Sequence, residues 1–248
     1  MSNPLVFQFI SDLSTVPVPT ELNNPFGKDI PEIARIASAE FQEFIKKEES
    51  KWEYDFATQR GKMFGVLVVK SKKNELGFLG TMSGTFPGNK TCNKFAPSVF
   101  DVATDDYFIN KGMTELTNLG KAIKNSTNHL EIKALKECRK NKSYQLQRKL
   151  FENYFFSTSK GVEKSVKQIF VESLAGNPPA AAGECAAPKL LQYAFNYELT
   201  PIAIAEFWWG NISKNKERKQ LDFYPACEDK CKPILGYMLE NNELFSLP

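Results

Sequence analysis

Three segments decide how this chain folds: PPAAAGECAAPKLLQYAF (178–195), TPIAIAEFWWG (200–210) and FYPACEDKCKPILGYML (223–239). Cys185 stands three residues before Pro188, and apolar residues then recur at helical spacing (Leu190, Leu191, Ala194, Phe195). Cys231 stands two before Pro233, and a second such run follows (Ile234, Leu235, Met238, Leu239). Proline is tolerated in the first turn of a helix, where its missing N–H has no partner to lose. The spacing therefore predicts helices over 186–197 and 233–240, with the cysteines at or just before their N-termini. Ile202 to Trp208 reads as a buried strand, apolar on both faces except at Glu206. In an open sheet, helices that follow neighbouring parallel strands begin at the same edge. Cys185, Cys227 and Cys231 are thus expected to cluster there, with Glu184 and Glu206 near them.

Upstream, residues 1–28 carry four prolines and read as an extended arm with one short strand at Leu5–Ile10. Asp29 suits an N-cap, with Glu32 three positions on as in a capping box. Ile33, Ala34, Ala37, Phe41, Phe44 and Ile45 follow at helical spacing, so a helix is expected over 30–49. Met63–Val69 and Leu76–Met82 read as a hairpin about the turn Ser71–Asn74. Its many glycines point either to close backbone packing or to a floor for a ligand. Thr85–Pro97 reads as a loop around Pro87-Gly88-Asn89, and Cys92 in it reads as a small side chain.

From Met113 to Ser173 the pattern becomes helical and basic, broken at 157–161, which predicts two or three helices. The sole histidine, His129, opens one of them as a surface or capping residue. Residues 121–169 hold 12 Lys/Arg against 4 Glu, a balance of +8 in a chain of net charge +3. Such helices are either a solvated face or a surface for a phosphate backbone. The candidate RNA-binding residues are Lys133, Lys136, Arg139, Lys140, Lys142, Arg148 and Lys149.

The chain has 248 residues with an ordinary balance of apolar and charged types, so it should bury a real core. No apolar run approaches the roughly 20 residues of a spanning helix. MSNPLVFQFISD lacks the basic start of a signal peptide. A cytoplasmic location is the expectation, and with it five reduced cysteines rather than a disulfide framework. Cys227 and Cys231 form a C-x3-C pair, a spacing that structural zinc sites use, and Cys185 offers a third thiol. Zinc is the metal these residues would suit. A helix N-terminus favours the thiolate, and Glu184 beside Cys185 could act as an acid/base group. The other reading is three small buried side chains.

The order hairpin, Gly183-Glu184-Cys185 helix start, strand, Pro225-Ala226-Cys227 helix start resembles the zinc-dependent nucleobase deaminases. Two departures stand out. Ala182 occupies the position of the ligand two before the glutamate, and the cysteine pair has one residue too many between its members. This resemblance implies the fold rather than the activity.

GKMFGVLVV (61–69), ELGFLGTMSG (75–84), PSVFD (97–101), GECAAPKLLQYAF (183–195), AIAEFWWG (203–210) and FYPACEDKCKPILGYML (223–239) carry a closer likeness. Together they look like the long N-terminal region of some RluA-type RNA pseudouridine synthases. In those proteins a following domain carries a His-Arg-Leu-Asp motif with the nucleophilic aspartate. No Arg-Leu-Asp occurs in this sequence, which ends where that domain would begin. The resemblance implies a link to rRNA or tRNA modification without the catalytic machinery.

The expected fold is α/β: a mixed sheet flanked by helices in a deaminase-like three-layer arrangement, with a basic helical insertion. The expected divisions are an arm (1–28), a first half (29–112), the insertion (113–173) and a second half (174–248). The leading functional expectation is a non-catalytic, RNA-associated accessory module with a protein partner in RNA modification, and no membrane contact. The alternatives are a deaminase-like zinc enzyme using Glu184 on a nucleobase, and a ligand-free protein-interaction module.

Overall fold

The computed structural model describes residues 5–52, 54–56, 58–84, 92–100, 108–212 and 217–241. The chain runs α1 (Glu32–Glu48), a 3₁₀ turn (Glu49–Lys51), β1 (Lys62–Lys70), β2 (Leu76–Met82), α2 (Phe108–Asn125) and α3 (His129–Asn153). It continues through β3 (Phe155–Ser157), β4 (Glu163–Ser165), α4 (Val166–Glu172), α5 (Ala186–Asn196), β5 (Thr200–Trp209), β6 (Phe223–Tyr224) and α6 (Glu228–Met238). The main sheet has the order β2-β1-β5-β6, and β3 pairs with β4 in a separate hairpin. Among the described residues no helix is long and apolar enough to cross a membrane.

The valine-rich β1 is the centre of the sheet. It pairs with β2 from Phe64↔Met82 to Lys70↔Leu76, and with β5 from Lys62↔Trp209 onward. Side chains of a strand alternate between faces. Phe64, Val66 and Val68 pack with α1, through Ile33, Ala34, Ala37, Phe41 and Ile45. Leu67 and Val69 pack with residues of α4, α5 and α6. Ile33, Phe41 and Ile45 are fully buried, and each such side chain contributes about 1.5–3 kcal/mol by leaving water. The arm joins the α1 face: Phe7 stacks on Phe78 at 5.1 Å. Glu40 accepts the N–H groups of Ile10 and Ser11 at 3.1 and 2.8 Å.

Several expectations are corrected. The sheet is antiparallel throughout rather than mixed. Among its described residues the arm makes one bridge, Phe7↔Phe78, and no strand. Helix α1 is capped by Pro31, not Asp29, and no side chain caps it. Ile30 precedes proline, which disfavours helical geometry there and delays the start. Helix α6 begins at Glu228, five residues before the expected start, and carries Pro233 inside it. Glu228 and Asp229 in its first turn complement the helix dipole and favour the early start. The turn Pro87-Gly88-Asn89 lies outside the described residues. The hairpin, the strand around 202–208 and α5 form where the sequence places them.

Candidate functional site

Two helix N-termini meet at the Glu206 end of β5, and short connections put them there. β6 is antiparallel to β5 and pairs Tyr224 with Glu206. Three residues separate β6 from α6, and three separate α5 from β5. Cys185 is the N-cap of α5 and Cys227 the N-cap of α6, and neither side chain makes a capping hydrogen bond. Cys231 follows in the first turn of α6, its N–H bonded to the Cys227 carbonyl at 3.0 Å. Cys231 is fully buried, whereas Cys185 and Cys227 are half-buried.

The three thiols hydrogen-bond to one another. Hydrogen bonds from Cys185 and then Cys231 hold the Cys227 thiol far below the ordinary cysteine range. The Cys185 thiol is pushed up, chiefly by its bond with Cys227, and Cys231 is raised well above its usual value by Cys185 and then Cys227. A helix N-terminus also favours a thiolate at Cys227. Among the described residues, no group of three or more His, Cys, Asp and Glu is arranged to hold a metal ion.

Glu206 does the capping that Cys185 does not. Its Oε1 accepts the Ala187 N–H at 2.8 Å, satisfying one of the orphan donors of α5. Burial pushes its carboxyl from 4.5 up to about 7, against the Ala187 hydrogen bond and the charge of Arg218. Gly65 faces Glu206 across β1 and β5. A Cβ there would lie 2.9 Å from the Ala186 Cβ, so the glycine lets the first turn of α5 rest on the sheet. Close packing, rather than a ligand, explains this position.

Glu184 is engaged by three other groups. Its carboxylate accepts from Tyr154 Oη at 3.0 Å and Ser98 Oγ at 3.3 Å, and pairs with Lys189 Nζ at 3.5 Å. Lys189 is 2% exposed, and its Nζ also donates to the Gly84 and Met82 carbonyls at 2.6 and 3.3 Å. Burial lowers its pKa, and burial together with Glu184 raises that of Tyr154 well above the phenol range. This cluster ties α3, the end of β2 and α5 together. Sequence reasoning missed Lys189 and Tyr154. The available signal was a lone lysine inside the apolar run 186–195.

The basic residues lie on a different feature. Helices α2 and α3 pack against each other, and each buries a single side chain, Leu116 and Phe151 respectively. Asn128 caps α3, accepting from Leu130 and Glu131. All seven candidate RNA-binding residues are exposed. Lys142 is paired with Glu115, Arg148 with Glu152, and Lys149 sits 4.4 Å over the Phe108 ring. Arg139 lies along α2 near Gly120. Lys133, Lys136 and Lys140 carry no ion pair among the described residues. Their spacing of three and four places them on one side of α3, followed by Tyr144, which is 57% exposed.

The sequence matches no family model, and comparison with curated proteins and with solved structures finds no match either.

Proposed function

We propose that this chain is an RNA-associated accessory module related to pseudouridine synthases, and that it holds RNA on the outer side of α3. The observation that carries this reading is the Lys133, Lys136, Lys140 row, exposed and without ion-pair partners among the described residues, with Tyr144 beyond it. Helices 108–153 hold ten Lys/Arg against four Glu, so the basic insertion presents a local excess of +6. Unpaired lysines can displace the counterions condensed on a phosphate backbone, which favours binding without strong sequence preference. An exposed tyrosine at the end of such a row suits stacking on an unpaired base.

The likeness of 61–84 and 183–239 to the RluA-type N-terminal region supports rRNA or tRNA as the class of target. With no Arg-Leu-Asp in the sequence, the reading gives these 248 residues no pseudouridylation site of their own and includes a protein partner in RNA modification. The deaminase reading gains less support: Glu184 is held by Tyr154, Ser98 and Lys189. The test is binding of a labelled mixed-sequence RNA to the full chain and to a Lys133→Ala/Lys136→Ala/Lys140→Ala variant over a salt series. Lower affinity and a shallower salt dependence in the variant support the reading. Identical curves for the two proteins reject it.

A further inference from the structure

Resting on the RNA reading of α3, we propose that the groove at the foot of that helix is a base-binding subsite. It takes one unstacked base of a single-stranded RNA whose phosphates lie along the lysine row. The groove lies between the last turn of α3, the β3–β4 hairpin and α4, and holds about 420 Å³. Small-ligand sites typically hold roughly 300–1,000 Å³. Its apolar wall is Phe155, 44% exposed, and Val171, 61% exposed. Strand alternation explains the first: Tyr154 and Phe156 enter the core, and Phe155 faces outward between them. On α4, Val166, Ile169 and Phe170 are buried and Val171 faces outward. The core is filled without these two side chains, which leaves a ring and a methyl pair open in the groove.

The groove continues the lysine row. Lys140, Tyr144, Arg148 and Glu152 recur every four residues and form one ridge of α3. The ridge ends in the groove: Arg148 Nε donates to Glu152 Oε1 at 3.1 Å, and Glu152 is part of the groove wall. At about 1.5 Å of rise per residue, Tyr144 stands about 12 Å and Lys140 about 18 Å from Glu152 along the axis. A strand held by its phosphates at Lys133, Lys136 and Lys140 therefore reaches Tyr144 and then Phe155, two exposed rings on one track. Stacking on such rings tolerates any base, in keeping with binding that has no strong sequence preference.

Charge decides which part of the strand enters. Glu152 is paired with Arg148 and Lys167, and Glu172 with Lys164. Two carboxylates and one ammonium, that of Lys167, line the groove, so it disfavours a phosphate and admits an uncharged ring. Gln168 supplies a contact for the base edge. Its Oε1 accepts the Ser165 N–H and hydroxyl at 2.9 and 3.1 Å in the capping box of α4. Its amide nitrogen has no hydrogen-bond partner among the described residues, and it can donate to a carbonyl or ring nitrogen of the base.

The test uses the full chain and two labelled oligoribonucleotides of equal length, one with natural bases and one abasic in its interior, so that their phosphates are the same. Fluorescence anisotropy at low salt should show that the parent favours the natural RNA. Phe155→Ala should cut that preference by about five-fold or more, the loss expected for one stacked base. Its affinity for the abasic RNA should be unchanged. Lys133→Ala/Lys136→Ala/Lys140→Ala should weaken both RNAs alike. In the unaltered chain, thiouridine-substituted RNA should photo-crosslink to the peptide holding Phe155, a measurement that stands if Phe155→Ala fails to fold. Equal binding of the two RNAs by the parent, or crosslinks confined to other segments, would overturn the subsite and leave the phosphate row standing. So would an unchanged preference in Phe155→Ala, the result expected of a groove that serves a protein partner. No binding of either RNA at low salt would overturn the phosphate row and the subsite with it.

Discussion

Replacing Glu206 by glutamine isolates the cost of burying a carboxyl beneath the first turn of α5. The side chain is 7% exposed, and burial moves its carboxyl from 4.5 up to about 7. The groups facing it are the Ala187 N–H of α5 and Arg218, which oppose the rise, and Cys227 of α6, which adds to it. Below about pH 4.5 the carboxyl is protonated in both folded and unfolded chains. Between about pH 4.5 and 7 the unfolded chain releases a proton that the folded chain keeps. The native state then binds more protons, so this group makes stability fall as pH rises through the window, and the loss levels off above it. A difference of roughly 2.5 units at about 1.36 kcal/mol each is about 3 kcal/mol. Glutamine keeps an oxygen for the Ala187 N–H and carries no charge. Glu206→Gln should match the parent near pH 4.5 and exceed it by about 3 kcal/mol at pH 8. Urea unfolding of both proteins across this range, under reducing conditions, reads the difference while other titrations cancel. A difference that stays constant with pH, or grows toward acid, would refute the reasoning.

Gly80→Ala should destabilise the protein by about 1–3 kcal/mol, the usual cost of overpacking. The new Cβ would lie 2.3 Å from Cε2 of Phe41, whose ring is held by Phe7, Phe64 and Phe95. An unchanged urea midpoint would show that the ring has room to move. The purified chain should not isomerise uridine in rRNA or tRNA transcripts, since no Arg-Leu-Asp supplies a nucleophile. Robust pseudouridine formation by the chain alone would disprove this.

The elements with a clear period were legible. Apolar residues at helical spacing gave α1, and the valine-rich run and its return gave the β1–β2 hairpin. Proline misled in two places. Pro31 delays α1 through its effect on Ile30, and Pro233 sits inside α6 instead of opening it. Strand direction was not legible. The connection from β2 to β5 is over a hundred residues long, enough to return in either sense, and β6 has only two residues. The cysteines meet, but not because parallel strands align two helices. Three-residue links on either side of an antiparallel β5–β6 pair put both N-termini beside Glu206. The Tyr154–Glu184–Lys189 cluster joins residues 30 to 35 positions apart in sequence, and no local pattern announces such contacts.

The central claim is that the outer side of α3 binds RNA through phosphates. Fluorescence anisotropy of a labelled mixed-sequence RNA, from low to high salt, tests it directly. The expected result is an affinity that falls linearly with salt on a log–log plot for the full chain. For Lys133→Ala/Lys136→Ala/Lys140→Ala, affinity should drop for every sequence tried, with the slope shallower by about 2 to 3. No binding at low salt, or the same slope in both proteins, would contradict it and leave the lysine row a solvated face.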